Sequence, residues 1–172
     1  GNILNDNIVS KTTWFDGSLS NVWQTVDHET LSKNPGMDSL KRYLSREVAL
    51  GHLVRQELSS MIPPLFLASG LQSRHNVLDV CAAPGSKSEL LLHLMQESPD
   101  SRGQVSGMVI ANDADPHRIE TLINRFKRCP NPNLVCTCNK AEEMAKIIAP
   151  SSFKFDRILL RRCTVLRYWD ES

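Results

Sequence analysis

The stretch Val77-Leu78-Asp79-Val80-Cys81-Ala82-Ala83-Pro84-Gly85-Ser86-Lys87 decides the reading of this chain. Asn76 to Cys81 is a short, largely apolar run of the kind that forms a strand buried on both faces. Small residues and turn formers follow, and Ser86 and Glu89 are spaced as a capping box ahead of a leucine-rich helix from Lys87 to Gln96. Strand, tight turn and helix in that order predict one unit of a parallel sheet, whose ligands bind beyond the carboxyl ends of its strands. The turn from Cys81 to Ser86 is therefore the first candidate site. Ala82, Ala83 and Gly85 let a ligand approach the backbone, Pro84 stiffens the turn, and the amides opening the helix at Lys87 can receive a carboxylate or phosphate.

Downstream, Gly107 to Asp113 reads as a second buried strand, and Asp113 at its end is placed to accept both hydroxyls of a ribose. A turn for an anion and an acid for a ribose together describe a nucleoside cofactor, although any tight strand-to-helix turn favours small residues. The turn is not G-x-G-x-x-G, which argues against a nicotinamide cofactor. Asp115 and Pro116 form an N-cap with proline at the first helical position, followed by an apolar stripe of Ile119, Leu122, Ile123 and Phe126. Asn133 to Cys138 is a third strand, Ala141 to Ile148 a helix, and Phe155 to Leu160 a fourth strand. The prediction is an α/β fold, an open parallel sheet with helices on both faces.

Upstream, Asn2 to Asp38 is polar and weakly periodic, with Trp14, Phe15 and Trp23 as isolated anchors, and reads as an irregular arm. Asp38 caps a predicted helix from Ser39 to Leu50, with Leu40, Tyr43, Leu44 and Val48 on one face and Gly51 as the stop. Pro63 is expected only in the first turn of a new short helix. The organisation predicted is an arm and helical segment over 1–70, a cofactor-binding half-domain over 71–160 and an atypical tail over 161–172.

The 172 residues carry 20 Lys+Arg against 19 Asp+Glu, which excludes a strongly basic nucleic-acid coat but not a local basic groove. Five cysteines, an odd number, read as reduced thiols. No apolar run approaches the roughly 20 residues of a membrane span, so no membrane partner is expected and an intracellular place, nucleus or cytoplasm, is. Cys136 and Cys138 alternate on one strand face with Leu134 and read as buried thiols rather than a metal pair. Lys41-Arg42, Arg125 with Lys127-Arg128, and Arg161-Arg162 read as solvated faces, and the five histidines form no ligand spacing, so no metal is expected.

Val77 to Lys87 closely resembles the S-adenosylmethionine loop of the Nop/Sun family of RNA cytosine-5 methyltransferases. Gln56-Glu57-Leu58-Ser59-Ser60-Met61-Ile62-Pro63, Val109 to Asp115 and Phe155 to Leu159 continue the likeness in order, and the branch acting on transfer RNA looks nearest. The resemblance implies a Rossmann-like methyltransferase sheet with S-adenosylmethionine lying across Cys81, Ala82, Ala83, Pro84, Gly85, Ser86 and Lys87. Asp113 would hold the ribose, and Lys87 would stand near the cofactor or target base. It also implies an RNA partner, in particular tRNA.

The resemblance breaks in three places. The family's attacking cysteine follows an Asp-x-Pro-Cys-Ser-Gly pattern beyond the fourth strand, whereas this chain reads Leu160-Arg161-Arg162-Cys163-Thr164, so no catalytic residue is assigned. Back-translating Leu160 to Glu171 and reading from the second base gives, among synonymous choices, Cys-Asp-Val-Val-Pro-Cys-Ser-Gly; a shifted frame and a genuine alternative tail both stand. Where the family carries an Asp for the adenine amino group, this chain has Lys140, beside Asn139, and only the Asn139 carbonyl could accept from that amine. The sheet read here is also smaller than the family's, so the fourth strand should present an unpaired edge. Rival readings are a catalytically dead cofactor- or RNA-binding module, and an assembly subunit whose sheet is completed by a partner chain.

Overall fold

Two short segments that the sequence reads as irregular pair in the structure, a computed structural model that describes residues 9–12, 22–25 and 28–160. β1 (Val9–Lys11) runs antiparallel to β2 (Trp23–Thr25), with Val9 opposite Thr25. Strands of three residues are too short to show alternation, which is why the sequence hid them. Contacts divide the chain into two units, 1–55 and 56–172, each described here by itself.

In the first unit, α1 (His28–Lys33) leads through a 3-10 turn over Pro35–Met37 into α2 (Asp38–Ala49). Asp38 is the first residue of α2 rather than its cap, and it pairs with Lys41 at 2.6 Å. Leu40, Leu44 and Val48 lie on the covered face, but Tyr43, expected with them, is 52% exposed, with the Arg46 guanidinium 5.8 Å from its ring centre. Gly51, at a φ of +79°, ends the helix as predicted.

The second unit holds the sheet. α3 (Leu58–Ala68) runs straight through Pro63 and Pro64, where the sequence reading expected a new helix. These prolines have no N–H to give to the carbonyls of Ser59 and Ser60, so the loss falls on two groups near the helix start, while Pro64 and Met61 are buried. β3 (Asn76–Asp79), β4 (Met108–Asn112), β5 (Leu134–Thr137) and β6 (Arg157–Leu159) form one parallel sheet in the order β5-β4-β3-β6. The chain steps outward from β3 to β5 and then returns to the other side of β3, so the topological switch lies between β3 and β6.

α4 (Ser86–Gln96) buries Leu90, Leu91, Leu92, Leu94 and Met95, which leaves it little solvent face. α5 (Pro116–Phe126) has the predicted cap, with the Asp115 carboxylate accepting from the amides of His117 (2.8 Å) and Arg118 (3.4 Å). Ile119, Leu122 and Phe126 are buried, but Ile123 lies outside the stripe predicted for it and is exposed. α6 (Ala141–Ile148) sets Met144 against Leu78 and Val80. Cys136 is only half-buried and Cys138 exposed, because β5 lies at the edge of the sheet among the described residues. Among the described residues β6 pairs only with β3, and Leu58, Ile62 and Phe66, four residues apart along α3, are all exposed. No helix among the described residues is long and apolar enough to cross a membrane.

Gly107 is fixed by contact rather than by φ. A Cβ there would stand 2.1 Å from the carbonyl oxygen of His75, and the Gly107 amide donates to Ser73 at 2.7 Å. Gly107→Ala should therefore force β4 away from the segment before β3 and lower stability by about 1–3 kcal/mol in urea denaturation; an unchanged midpoint would contradict this packing.

Candidate ligand site at the strand ends

Each central strand ends in a buried polar residue: Asp79 on β3, and Asn112 with Asp113 on β4. Asn112 is fully buried. Its Nδ2 donates to the carbonyls of Val80 (3.0 Å) and Asn139 (2.8 Å), while its Oδ1 accepts from Thr137 Oγ1 (2.9 Å) and the Asn139 amide (3.1 Å). One side chain thus ties the ends of three strands together.

The turn from Cys81 to Gly85 is held against this frame. The Ala82 amide donates to the Asn112 carbonyl and the Gly85 amide to the Ala82 carbonyl, each at 2.7 Å. The Ala83–Pro84 peptide is cis, and Gly85 has a φ of +100°, where a Cβ would meet the Phe126 ring at 3.2 Å and Arg125 Cδ at 3.3 Å. Ala82 and Ala83 are buried, Pro84 exposed, and Cys81 and Ser86 intermediate. Asp113 is 3% exposed. Its Oδ2 accepts from the Ala83 amide (3.1 Å) and lies 3.3 Å from Arg118 Nη1, while Oδ1 accepts from the Asp115 amide (3.2 Å).

Gly85, not Ser86, caps α4, so the predicted capping box does not form. Glu89 falls one place beyond the position that can reach back to the cap, and its carboxylate takes Arg125 Nε at 2.6 Å instead, joining α4 to α5. Cys81 packs beside Leu78, Val80 and Met144. Cys129, Cys136 and Cys138 are free. Cys163 and the rest of the tail lie outside the described residues.

Asp79 is fully buried. Its Oδ2 accepts from Ser88 Oγ at 2.7 Å, and its Oδ1 has no hydrogen-bond partner. Burial pushes its carboxyl up from 3.8 to about 6, against the pull of the Ser88 hydrogen bond and the Lys87 charge. Lys87 lines a cavity of about 280 Å³ with Glu57, Ser59, Ser60, Pro63, Leu159 and Leu160, on the β6 side of β3. The Gln56 side chain donates to the Ser86 carbonyl at 2.9 Å, tying the start of α3 to the start of α4. Asn139 has both backbone groups bound to Asn112 and its amide 3.6 Å from Met144 Sδ, while Lys140 is exposed at the start of α6.

The structure therefore brings together Ala82, Ala83, Gly85 and Asp113, and Lys87 lines the cavity beside β6. The sequence reading passed over Asn112, Arg118 and Ser88. The available signal was polarity inside buried strands: Asp79 in one, and the pair Asn112-Asp113 closing the other.

The profile of the family described as "16S rRNA methyltransferase RsmB/F" matches residues 66–166, more than half of the chain. The chain is 34% identical over 169 residues to a multisite-specific tRNA:(cytosine-C(5))-methyltransferase of Schizosaccharomyces pombe, covering 85% of this chain and 24% of that protein. A multisite-specific tRNA:(cytosine-C(5))-methyltransferase of Saccharomyces cerevisiae is 36% identical over 154 residues, covering 85% and 22%. A methyltransferase homologue from Pyrococcus horikoshii superposes with a TM-score of 0.53 at 28% identity, over 66% of this chain and 33% of that one. The fold is that of an S-adenosylmethionine-dependent methyltransferase. The chain belongs to the Nop/Sun family of RNA cytosine-5 methyltransferases, nearest its tRNA branch, and spans about a quarter of the length of the two fungal relatives.

The Asp79 carboxyl binds its proton near pH 6 when folded and near 3.8 when unfolded, so folding takes up a proton between those values. Stability from this group is present at about pH 4 and is lost as the pH rises through 6. Asp79→Asn should flatten that part of the pH profile in denaturation experiments, and an unaltered profile would show that the buried carboxyl does not titrate there.

Proposed function

We propose that these residues form the methyl-donor-binding part of an RNA cytosine-5 methyltransferase whose substrate class is tRNA, acting in the nucleus or cytoplasm. The observation that carries the reading is the junction of the Ala82–Gly85 turn with Asp113 at the ends of two adjacent parallel strands. The residues fit S-adenosylmethionine. The first amides of α4 have no partner within their own helix and suit its carboxylate. Asp113 supports a ribose through Oδ1, which has a lone pair beyond the one given to the Asp115 amide, whereas Oδ2 is already taken by the Ala83 amide and Arg118. Lys140 is the poor match, because a lysine cannot accept from the adenine amine. When bound, the cofactor would supply an electrophilic methyl group; the turn would orient it, and Lys87 in its cavity supports a position for the target base.

Asp113→Ala should weaken binding of S-adenosylhomocysteine by roughly 1.5 to 3 kcal/mol, about 10- to 150-fold in calorimetry. Equal affinity in the variant would remove Asp113 from the site.

Methylation at carbon 5 of cytosine needs a thiolate to attack carbon 6. No segment of these 172 residues matches the family's Asp-x-Pro-Cys-Ser-Gly pattern, so the polypeptide is read as cofactor-binding but inactive by itself. Labelled methyl groups should not pass to tRNA above background. Cysteine-dependent trapping of the chain on RNA containing 5-fluorocytosine would contradict this.

A second reading, a subunit completed by another chain, draws support from the β6 edge and the exposed row Leu58, Ile62 and Phe66. A monomeric mass at all concentrations would count against self-assembly through that face.

A further inference from the structure

Arg118 is in a place that helix electrostatics disfavours. It is the third residue of α5, where the unpaired amides and the aligned peptide dipoles make the end of the helix positive, and that first turn contains no acidic residue. Its guanidinium is nonetheless held by two partners. Nη2 donates to the Ala83 carbonyl at 2.6 Å, and Nη1 lies 3.3 Å from Asp113 Oδ2. That same Oδ2 accepts from the Ala83 amide at 3.1 Å. The three groups close a ring in which both polar atoms of one alanine are gripped, the N–H by Asp113 and the C=O by Arg118. The backbone of Arg118 is anchored in turn by the Asp115 cap, so the fork is presented from a fixed base.

From this ring we infer that Arg118 is a positioning residue: it fixes the Ala83 peptide groups, and through them the turn leading to Pro84 and Gly85, in the form that receives the ligand. The inference rests on the methyl-donor reading above. The planar fork matters, because it engages a carboxylate and a carbonyl at once, whereas a lysine ammonium is a single point charge on a flexible stem. Without the fork the Ala83 carbonyl loses a charge-assisted donor and Asp113 loses its cation, so the turn should populate other conformations. Affinity then falls in proportion to the fraction that remains competent.

Two measurements on the full chain test it. In the free protein, hydrogen exchange at the Ala83 amide should be about tenfold faster in Arg118→Ala, while the Val109 amide, bonded to the Asn133 carbonyl at 2.8 Å in the sheet, keeps its rate. By calorimetry, the Kd for S-adenosylhomocysteine should rise about tenfold in Arg118→Ala, with Arg118→Lys between that variant and wild type. If Arg118→Ala fails to fold, Arg118→Lys carries both comparisons. Unchanged Ala83 exchange together with equal or tighter binding would overturn the inference. If wild type itself does not bind S-adenosylhomocysteine, the methyl-donor reading fails, and exchange in the free chain decides the clamp by itself.

Discussion

The Asn112 side chain uses its full hydrogen-bonding capacity, two donors and two acceptor positions, on groups that belong to three different strand ends. It is fully buried, so none of those partners can be replaced by water without opening the sheet. The carbonyl ends of β3 and β5 are thereby fixed relative to β4. Everything on the ligand side inherits that frame: the Asn112 carbonyl takes the Ala82 amide, the next residue supplies the carboxylate that takes Ala83, and the Asn139 backbone is bonded twice. An apolar residue of similar size would keep the packing but leave several buried backbone groups unpaired, a heavier loss than that of one hydrogen bond.

Two buried carboxylates flank this joint and are treated differently. Asp113 is surrounded by partners from the turn, from the α5 cap and from Arg118. Asp79 has the Ser88 hydroxyl as its close donor, with weaker pulls from Lys87 and the Cys81 backbone, and burial dominates its titration. The contrast follows from position. Asp113 lies where the chain leaves the sheet and free amides gather, whereas Asp79 is still paired inside the parallel sheet, opposite Ala111 and Leu159. The first is the carboxylate proposed to meet the ligand. The second holds the opening turn of α4 through Ser88.

The central fold was legible because the signals were local. Four apolar runs, the Asp115-Pro116 cap and the leucine-rich helix after the turn each declared an element within a few residues, and their alternation gave the parallel sheet. What escaped the sequence depended on partners far along the chain. Arg118 looks like an ordinary helical arginine until Ala83, 35 residues earlier, is brought to it. Glu89 has the spacing of a capping residue, yet its carboxylate finds Arg125, 36 positions away. Pro63 and Pro64 break the local rule for helix interiors, and burial of Pro64 and Met61 outweighs it. Tyr43 and Ile123 fit their apolar stripes by period alone, yet both remain exposed. The candidate turn and Asp113 were readable as types; the ring that joins them was not.

The account stands on the turn and Asp113 forming one ligand-binding surface on the frame built by Asn112. The most direct measurement is a map of backbone amide shifts on titrating the 172-residue chain with S-adenosylhomocysteine. Saturable shifts concentrated at residues 82–87 and 112–115, with the amides of β1, β2 and α2 unmoved, are the predicted result. Shifts confined to other regions, or none at saturating concentration, would contradict it.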